Sequence, residues 1–261
     1  MRVTWVTEQG SPERRNEDFV AAAAGAVVVL DGCGLPLGTD LGCVHGTAWY
    51  ARSLGTRLLA RMLDGLGEAP QAGPPVGPPE GAHRPAARPL VARLAGAIAD
   101  VAAAHRGSCD LAAVTTPAAT VLALRVRGEV VDYLVLADST LLLDGPDGLR
   151  EITGGPPFAA ADPAVADAAI TGTVPVRELR RAFLLTDGAT RLVDRFRLTG
   201  WAEVARLADE SGPGALIART REAERGDPRG ARWPRGKIHD DATAAVCAFA
   251  SEDGRPAAAA R

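Results

Sequence analysis

Five stretches of this chain, at residues 26–30, 120–126, 130–137, 182–185 and 242–249, are apolar at nearly every position. A strand with one wet face alternates apolar and polar residues, so these strands must be covered on both faces. Shorter strands are expected over 3–7 and 19–23, the latter pairing with 26–30 through a turn at Ala24 and Gly25. Arg127-Gly128-Glu129 joins the second and third runs, and Gly145-Pro146-Asp147-Gly148 joins strands at 141–143 and 149–152; both are tight-hairpin signals. Helical spacing replaces the strand pattern over 44–66, where Ala48, Ala51, Leu54, Leu58, Leu59 and Met62 share a face, and over 90–105. Further helical segments are expected over 162–169 and 201–224, then a polar loop over 225–237. Hairpins mean antiparallel pairing, which excludes a doubly wound parallel sheet. The predicted class is α+β: two stacked antiparallel β-sheets flanked by helices, an α-β-β-α sandwich.

The 261 residues suffice for one large domain or two small ones. Residues 70–89 carry two Pro-Pro pairs and several glycines, and are read as an exposed, mobile insertion. An interdomain linker is the other reading, but neither flank is self-sufficient, because the acidic blocks described below are divided between them. One domain over 1–250 with a disordered tail over 251–261 is therefore expected. The formal net charge of −3 favours neither nucleic acid nor a membrane surface as a partner. No apolar run approaches a bilayer span, and residues 1–5 lead into a polar segment without a signal-peptide core, so a cytoplasmic protein is expected, and a monomer. Cys33, Cys43, Cys109 and Cys247 form no Cys-x-x-Cys pair, which argues against a zinc site or a disulfide framework and for a reducing compartment.

Two of the apolar strands run straight into Asp-Gly, at Asp31-Gly32 and, through Thr186, at Asp187-Gly188. Asn16-Glu17-Asp18 precedes the first, and Asp240-Asp241 opens the last strand. A buried strand that ends in a carboxylate aims an oxygen ligand from a rigid element. Carboxylates 4 Å apart repel by roughly 4 kcal/mol at an effective dielectric near 20. They stay ionised together only when a cation joins them, and hard divalent cations prefer such oxygen ligands. The four blocks predict one divalent-metal site.

The ordered set Asn16-Glu17-Asp18, Asp31-Gly32-Cys33-Gly34, Ala119-Thr120, Ala137-Asp138-Ser139, Thr186-Asp187-Gly188 and Asp240-Asp241-Ala242-Thr243 resembles the metal-dependent protein phosphatases of type 2C. The resemblance covers roughly residues 7–249. It implies a phosphorylated protein as substrate, with phosphoserine and phosphothreonine hydrolysed by a water that bridges two Mn²⁺ or Mg²⁺ ions. It further implies Asp31 as a ligand to both metals, with Gly32 offering its carbonyl to one. Asp187 and Asp240 would hold the other, completed by Glu17 and Asp18 directly or through water. Asp240, not Asp241, matches the family's ligand position. Two cations make hydroxide available near neutral pH and screen the phosphate, so no protein nucleophile is needed.

The same comparison marks departures. Glu13 stands where the family places a phosphate-binding arginine, which leaves Arg14 or Arg15 to face the phosphate; Arg14 joins Asp18 in the expected catalytic set. Cys33 replaces a residue that in relatives is often His, a possible proton donor to the leaving group. Asp138 is expected to be structural and His45 a packing histidine, with Asp110 the sole candidate for a third ion. The arginines from 219 to 235 are expected to be solvated. Competing readings are a phosphatase-like metal-binding regulatory module with weak turnover, and a metal hydrolase acting on a small phosphate ester.

Overall fold

Successive residues of a strand face opposite sides of its sheet, and in β3 (Ala26–Leu30) both sides are buried. Val27 and Val29 join a cluster with residues of the other sheet, whereas Ala26, Val28 and Leu30 pack against helices. That parity explains the continuous apolar runs. In this computed structural model, which describes residues 1–36, 38–64 and 89–249, the strands form two five-stranded antiparallel sheets. One sheet is ordered β1 (Arg2–Glu8), β10 (Ala242–Ala248), β9 (Arg181–Leu185), β6 (Thr140–Gly145) and β7 (Gly148–Ile152). The other is ordered β2 (Phe19–Ala23), β3, β4 (Val121–Arg127), β5 (Val130–Leu136) and β8 (Ile170–Pro175).

Helices α1 (Thr47–Leu63) and α2 (Leu90–His105) cover the second sheet. Helices α3 (Asp187–Asp194), α4 (Trp201–Glu210) and α5 (Pro213–Arg225) cover the first. The expected α-β-β-α sandwich is the observed one. Leu54, Leu58 and Met62 of α1 are fully buried, each stabilising the fold by about 1.5–3 kcal/mol. Among the described residues no helix is long and apolar enough to cross a membrane. Apart from Pro89, the expected insertion over 70–89 lies outside the described residues, as does the expected tail over 251–261.

Several elements differ from the sequence expectation. Helix α1 begins at Thr47, because Gly46 enters it at φ 79°, and this leaves Cys43 and His45 in the preceding loop. The helix expected over 201–224 is two helices, broken at Ser211 and Gly212; Gly212 has φ 85°, and Pro213 opens α5 where its missing N–H costs nothing. The segment expected as helix over 162–169 is a 3₁₀ turn (Pro163–Ala168), capped by Asp162 accepting from the Ala164 amide at 2.9 Å. Helix α3 escaped the pattern because its Asp-Gly start reads as a turn. Strand β8 escaped because it is a largely exposed edge strand whose Gly172 lies under the Tyr133 ring, with no room for a side chain.

Register brings the acidic blocks to one end of the sandwich. Phe19 pairs with Leu30, so Asp18 and Asp31 are the next residues on neighbouring strands. Ala244 pairs with Leu185, and the Thr186 amide donates to the Thr243 carbonyl at 3.0 Å, which carries the ladder to Asp187 and Ala242.

Candidate metal centre

Asp31 is fixed by its neighbours in the second sheet. Its amide donates to Thr120 Oγ1 at 3.1 Å, and its carbonyl accepts from the Thr120 amide at 2.8 Å. Thr120 Oγ1 lies 2.6 Å from Ser139 Oγ, so the Ala-Thr and Asp-Ser motifs serve as supports for Asp31. The Gly32 amide donates to the Glu17 carbonyl at 3.2 Å, and a Cβ at Gly32 would lie 2.7 Å from that oxygen and from the Thr47 methyl group. Only glycine lets the two acidic loops approach this closely.

Asp18 is buried; its Oδ2 accepts from Thr186 Oγ1 at 2.9 Å, while its Oδ1 is buried with no hydrogen-bond partner among the described residues. Burial pushes the Asp18 carboxyl up to about 8. Burial, then the charges of Asp18, Asp187 and Asp240, raise Asp31 well above the usual carboxylate range. Asp187 is exposed, yet its carboxyl is raised by lost solvation and by Asp240. These are carboxylates packed more tightly than their own charges allow.

Two cations partly answer them. Arg191, at the end of the first turn of α3, contacts Asp240 Oδ2 at 3.0 Å and the fully buried Glu224 at 2.6 Å. Glu224 also accepts from Arg221 at 2.8 Å, and Arg221 holds the Asp240 carbonyl at 2.7 Å. Arg221 and Arg235 are therefore buried props of the loop before β10, not the solvated arginines expected; Arg235 is clamped by Asp227 at 3.0 Å. The sequence reading missed Lys237. Its Nζ lies 2.6 Å from Asp240 Oδ1, and although burial alone would lower it, the bond to Asp240 and the nearby charges raise its pKa. The signal was there, since Lys237 is the chain's single lysine and lies three residues before Asp240.

Asp240 and Asp241 are separated by what they touch. Both Asp241 oxygens accept backbone amides, from Gly10 and Glu17, each at 2.7 Å. Asp241 thus pins the Glu17 loop, and Asp240 is the one whose charge reaches Asp31 and Asp187. Glu17, raised by burial against the opposing charges of Lys237 and Arg14, stands at the cleft edge with Arg14 at 4.0 Å. Arg14 lines both neighbouring cavities, of about 280 and 320 Å³, whereas Glu13 and Arg15 line only the first. Burial pushes the Cys33 thiol up to about 12, so no thiolate nucleophile is available near neutral pH. Asp138 is exposed, and its charge adds to the rise of Cys33. Asp110 caps its own turn, accepting from the Ala112 amide at 2.9 Å.

Asp18, Asp31, Asp187, Asp240 and Glu17 outnumber the cations at hand, and one buried Asp18 oxygen has no hydrogen-bond partner among the described residues. Such an all-oxygen, charge-excess site fits hard divalent cations. A second group lies outside this cleft: the loop residues Cys43 and His45, the latter stacked on Trp49, meet His105 and Cys109, and the four place one ligand atom each within 4.8 Å of all the others.

No protein-family model and no curated protein sequence matches this chain. Solved structures do match. A point variant of a bacterial serine phosphatase superposes with a TM-score of 0.62 at 14% identity, over 96% of this chain and 99% of that one. Serine/threonine phosphatase Stp1 from Staphylococcus aureus gives 0.56 at 13% identity, over 95% and 94%. The catalytic domain of the serine/threonine phosphatase PstP, in complex with two manganese ions, gives 0.52 at 18% identity, over 94% and 96%. The chain has the fold of the metal-dependent serine/threonine phosphatases of type 2C.

Proposed function

We propose that this chain is a Mn²⁺- or Mg²⁺-dependent phosphatase acting on phosphoserine and phosphothreonine in proteins. The observation that carries the reading is the convergence of Asp18, Asp31, Asp187 and Asp240 from four separate elements, with one buried Asp18 oxygen left without a partner among the described residues. The neighbour crystallised with two manganese ions shares this fold and supports the same cofactor here. Asp31, Asp187, Asp240 and Asp18 would hold two ions, with Glu17 and the Gly32 backbone at the edge. Bound ions of this class supply Lewis acidity and activate water near neutral pH.

The remaining work falls to the protein. Arg14, between the two cavities, orients a phosphate by paired guanidinium hydrogen bonds. Lys237 adds a point charge on the other wall of the second cavity. Thr120, backed by Ser139, fixes the Asp31 backbone, and Thr186 holds the Asp18 carboxylate, which keeps the reorganisation cost of reaction small. Cys33, kept neutral, takes no part as a nucleophile.

Mn²⁺-dependent phosphate release from a phosphothreonine peptide is the test, with Asp31→Asn and Asp187→Asn as controls. Undiminished activity in both variants sinks the assignment. Glu13 on the phosphate-side wall and the Lys237–Asp240 ion pair favour a second reading, a metal-binding regulatory module with weak turnover. Tight Mn²⁺ binding by calorimetry without turnover on any phosphopeptide would select it.

A further inference from the structure

We infer that Cys43, His45, His105 and Cys109 form a second metal site, a closed four-coordinate centre for Zn²⁺ that is independent of the acidic cleft. Cys43 and His45 lie two positions apart in the loop before α1; His105 ends α2, and Cys109 follows in the turn closed by the Ser108 amide on the His105 carbonyl at 3.1 Å. Cys43 Sγ is 3.7 Å from His105 Nδ1, 3.8 Å from His45 Nδ1 and 3.2 Å from Cys109 Sγ; His45 Nδ1 is 3.3 Å from Cys109 Sγ. Bond lengths of about 2.3 Å to sulfur and 2.0–2.1 Å to nitrogen in a tetrahedron require edges of roughly 3.3–3.8 Å. The three sulfur–nitrogen separations fall in that range, and the sulfurs, at 3.2 Å, would part slightly on binding.

The surroundings support a metal over a chance meeting of side chains. His105 is buried, its Nδ1 faces the Cys43 sulfur, and its Nε2 has no hydrogen-bond partner among the described residues. A cation at Nδ1 would give this buried imidazole a stronger partner than the weak contact to sulfur. Trp49 stacks on His45 with ring centroids 4.2 Å apart and lies 5.2 Å from His105, shielding one side. The two ligand-bearing segments are tied independently of the cluster. Asp110 donates its amide to the Gly42 carbonyl at 2.7 Å, and Thr115 Oγ1 donates to the Asp40 carbonyl at 2.8 Å. Two thiolates and two imidazoles select zinc over magnesium or manganese, and four protein ligands leave no open position for substrate. The centre is structural. It pins to the end of α2 a loop whose Thr39, Leu41 and His45 line the cavity beside Glu17 and Arg14.

The test uses the full chain, purified under reducing conditions from zinc-replete growth. About one equivalent of zinc retained through dialysis is expected, as is thiolate-to-metal charge-transfer absorption with tetrahedral ligand-field bands when Co²⁺ replaces it. Cys43→Ser with Cys109→Ser should abolish the charge-transfer band, and Asp31→Asn should leave it intact. Alkylation needs no variant: zinc should protect Cys43 and Cys109 from iodoacetamide, and a chelator should expose them. Absence of both zinc retention and the Co²⁺ band in the folded, reduced protein would overturn the site, as would a band that survives the double variant. Isolation without reductant of a zinc-free Cys43–Cys109 disulfide would overturn it too. None of these readouts depends on phosphatase activity.

Discussion

The acidic cleft and the Cys/His cluster share one segment of chain, the loop from β3 to α1: Asp31 and Gly32 open it, Cys43 and His45 close it. They are built on opposite principles. The cleft draws its carboxylates from strand ends and loops brought together by β-sheet register, and its need for cations shows as excess charge: raised carboxyls and an orphaned Asp18 oxygen. The cluster draws soft ligands from a loop and a helix end, and its need shows as geometry. Chemistry that must take up and release substrate needs an open coordination position on a rigid support, whereas a staple for a loop needs none.

Asp31→Asn is the strongest cut between the two. On the proposed function, in which Asp31 would hold the ions, this substitution should lower Mn²⁺-dependent turnover by about 10³-fold or more, equivalent to several kcal/mol of transition-state stabilisation. Zinc content should be unchanged, as measured by metal analysis of the same preparation. A parallel loss of zinc would mean the two centres are not independent.

Next in size is the pH dependence of the metal-free protein. Asp18 titrates at about 8 in the fold, and Asp31, Asp187 and Glu17 are also raised. A carboxyl raised in the folded state binds its proton more tightly there than in the unfolded chain. The contribution is full below the unfolded value near 3.8 and is lost as pH rises through about 8. Each retained proton costs about 1.4 kcal/mol of stability per pH unit across that window, so urea unfolding in EDTA should show a loss of up to about 4 kcal/mol from pH 5 to pH 8 from Asp18 alone. Saturating Mn²⁺ should remove most of that slope by taking the protons' place. A flat profile in EDTA would show that the cluster is not strained by its own charge.

Asp241→Asn probes the support and not the ligands. Its carboxylate accepts the Gly10 and Glu17 amides, and an amide side chain can accept through one atom only. About 1.5–3 kcal/mol of stability should be lost, read by thermal or urea unfolding, with Mn²⁺ affinity changed far less than by Asp240→Asn. Equal effects of the two substitutions on affinity would contradict their separate placement.

The same contrast governs how much was legible in the sequence. Asp31 and Asp187 stood out because each follows an apolar run, and the sandwich followed from the parity that makes both faces of β3 and β9 apolar. The Asp240–Asp241 pair was separated by the family resemblance and not by hydrophobic pattern, since the difference lies in which carboxylate meets the amides of a loop 231 residues away. Cys43 and His105 are 62 residues apart with no periodic link. Their meeting depends on α2 ending beside the loop before α1, a tertiary fact that spacing rules for zinc do not encode. Edge strand β8 was invisible because exposure removes the apolar signature that marks a strand.

Lys237 gives the smallest effect and the sharpest diagnosis of the cleft. Its ammonium neutralises part of Asp240 at 2.6 Å while its side chain remains about a third exposed, 37%, so solvent screening limits its influence to about 1 kcal/mol. Removing the charge with Lys237→Met leaves more negative potential for divalent ions and less positive potential for phosphate. Mn²⁺ affinity should therefore rise by about 2–5-fold, while KM for a phosphopeptide and the inhibition constant for inorganic phosphate rise by a similar factor. Opposite movements of metal and phosphate binding identify Lys237 as part of the phosphate-facing wall. A gain in metal affinity with no change toward phosphate would make it only a counter-ion to Asp240.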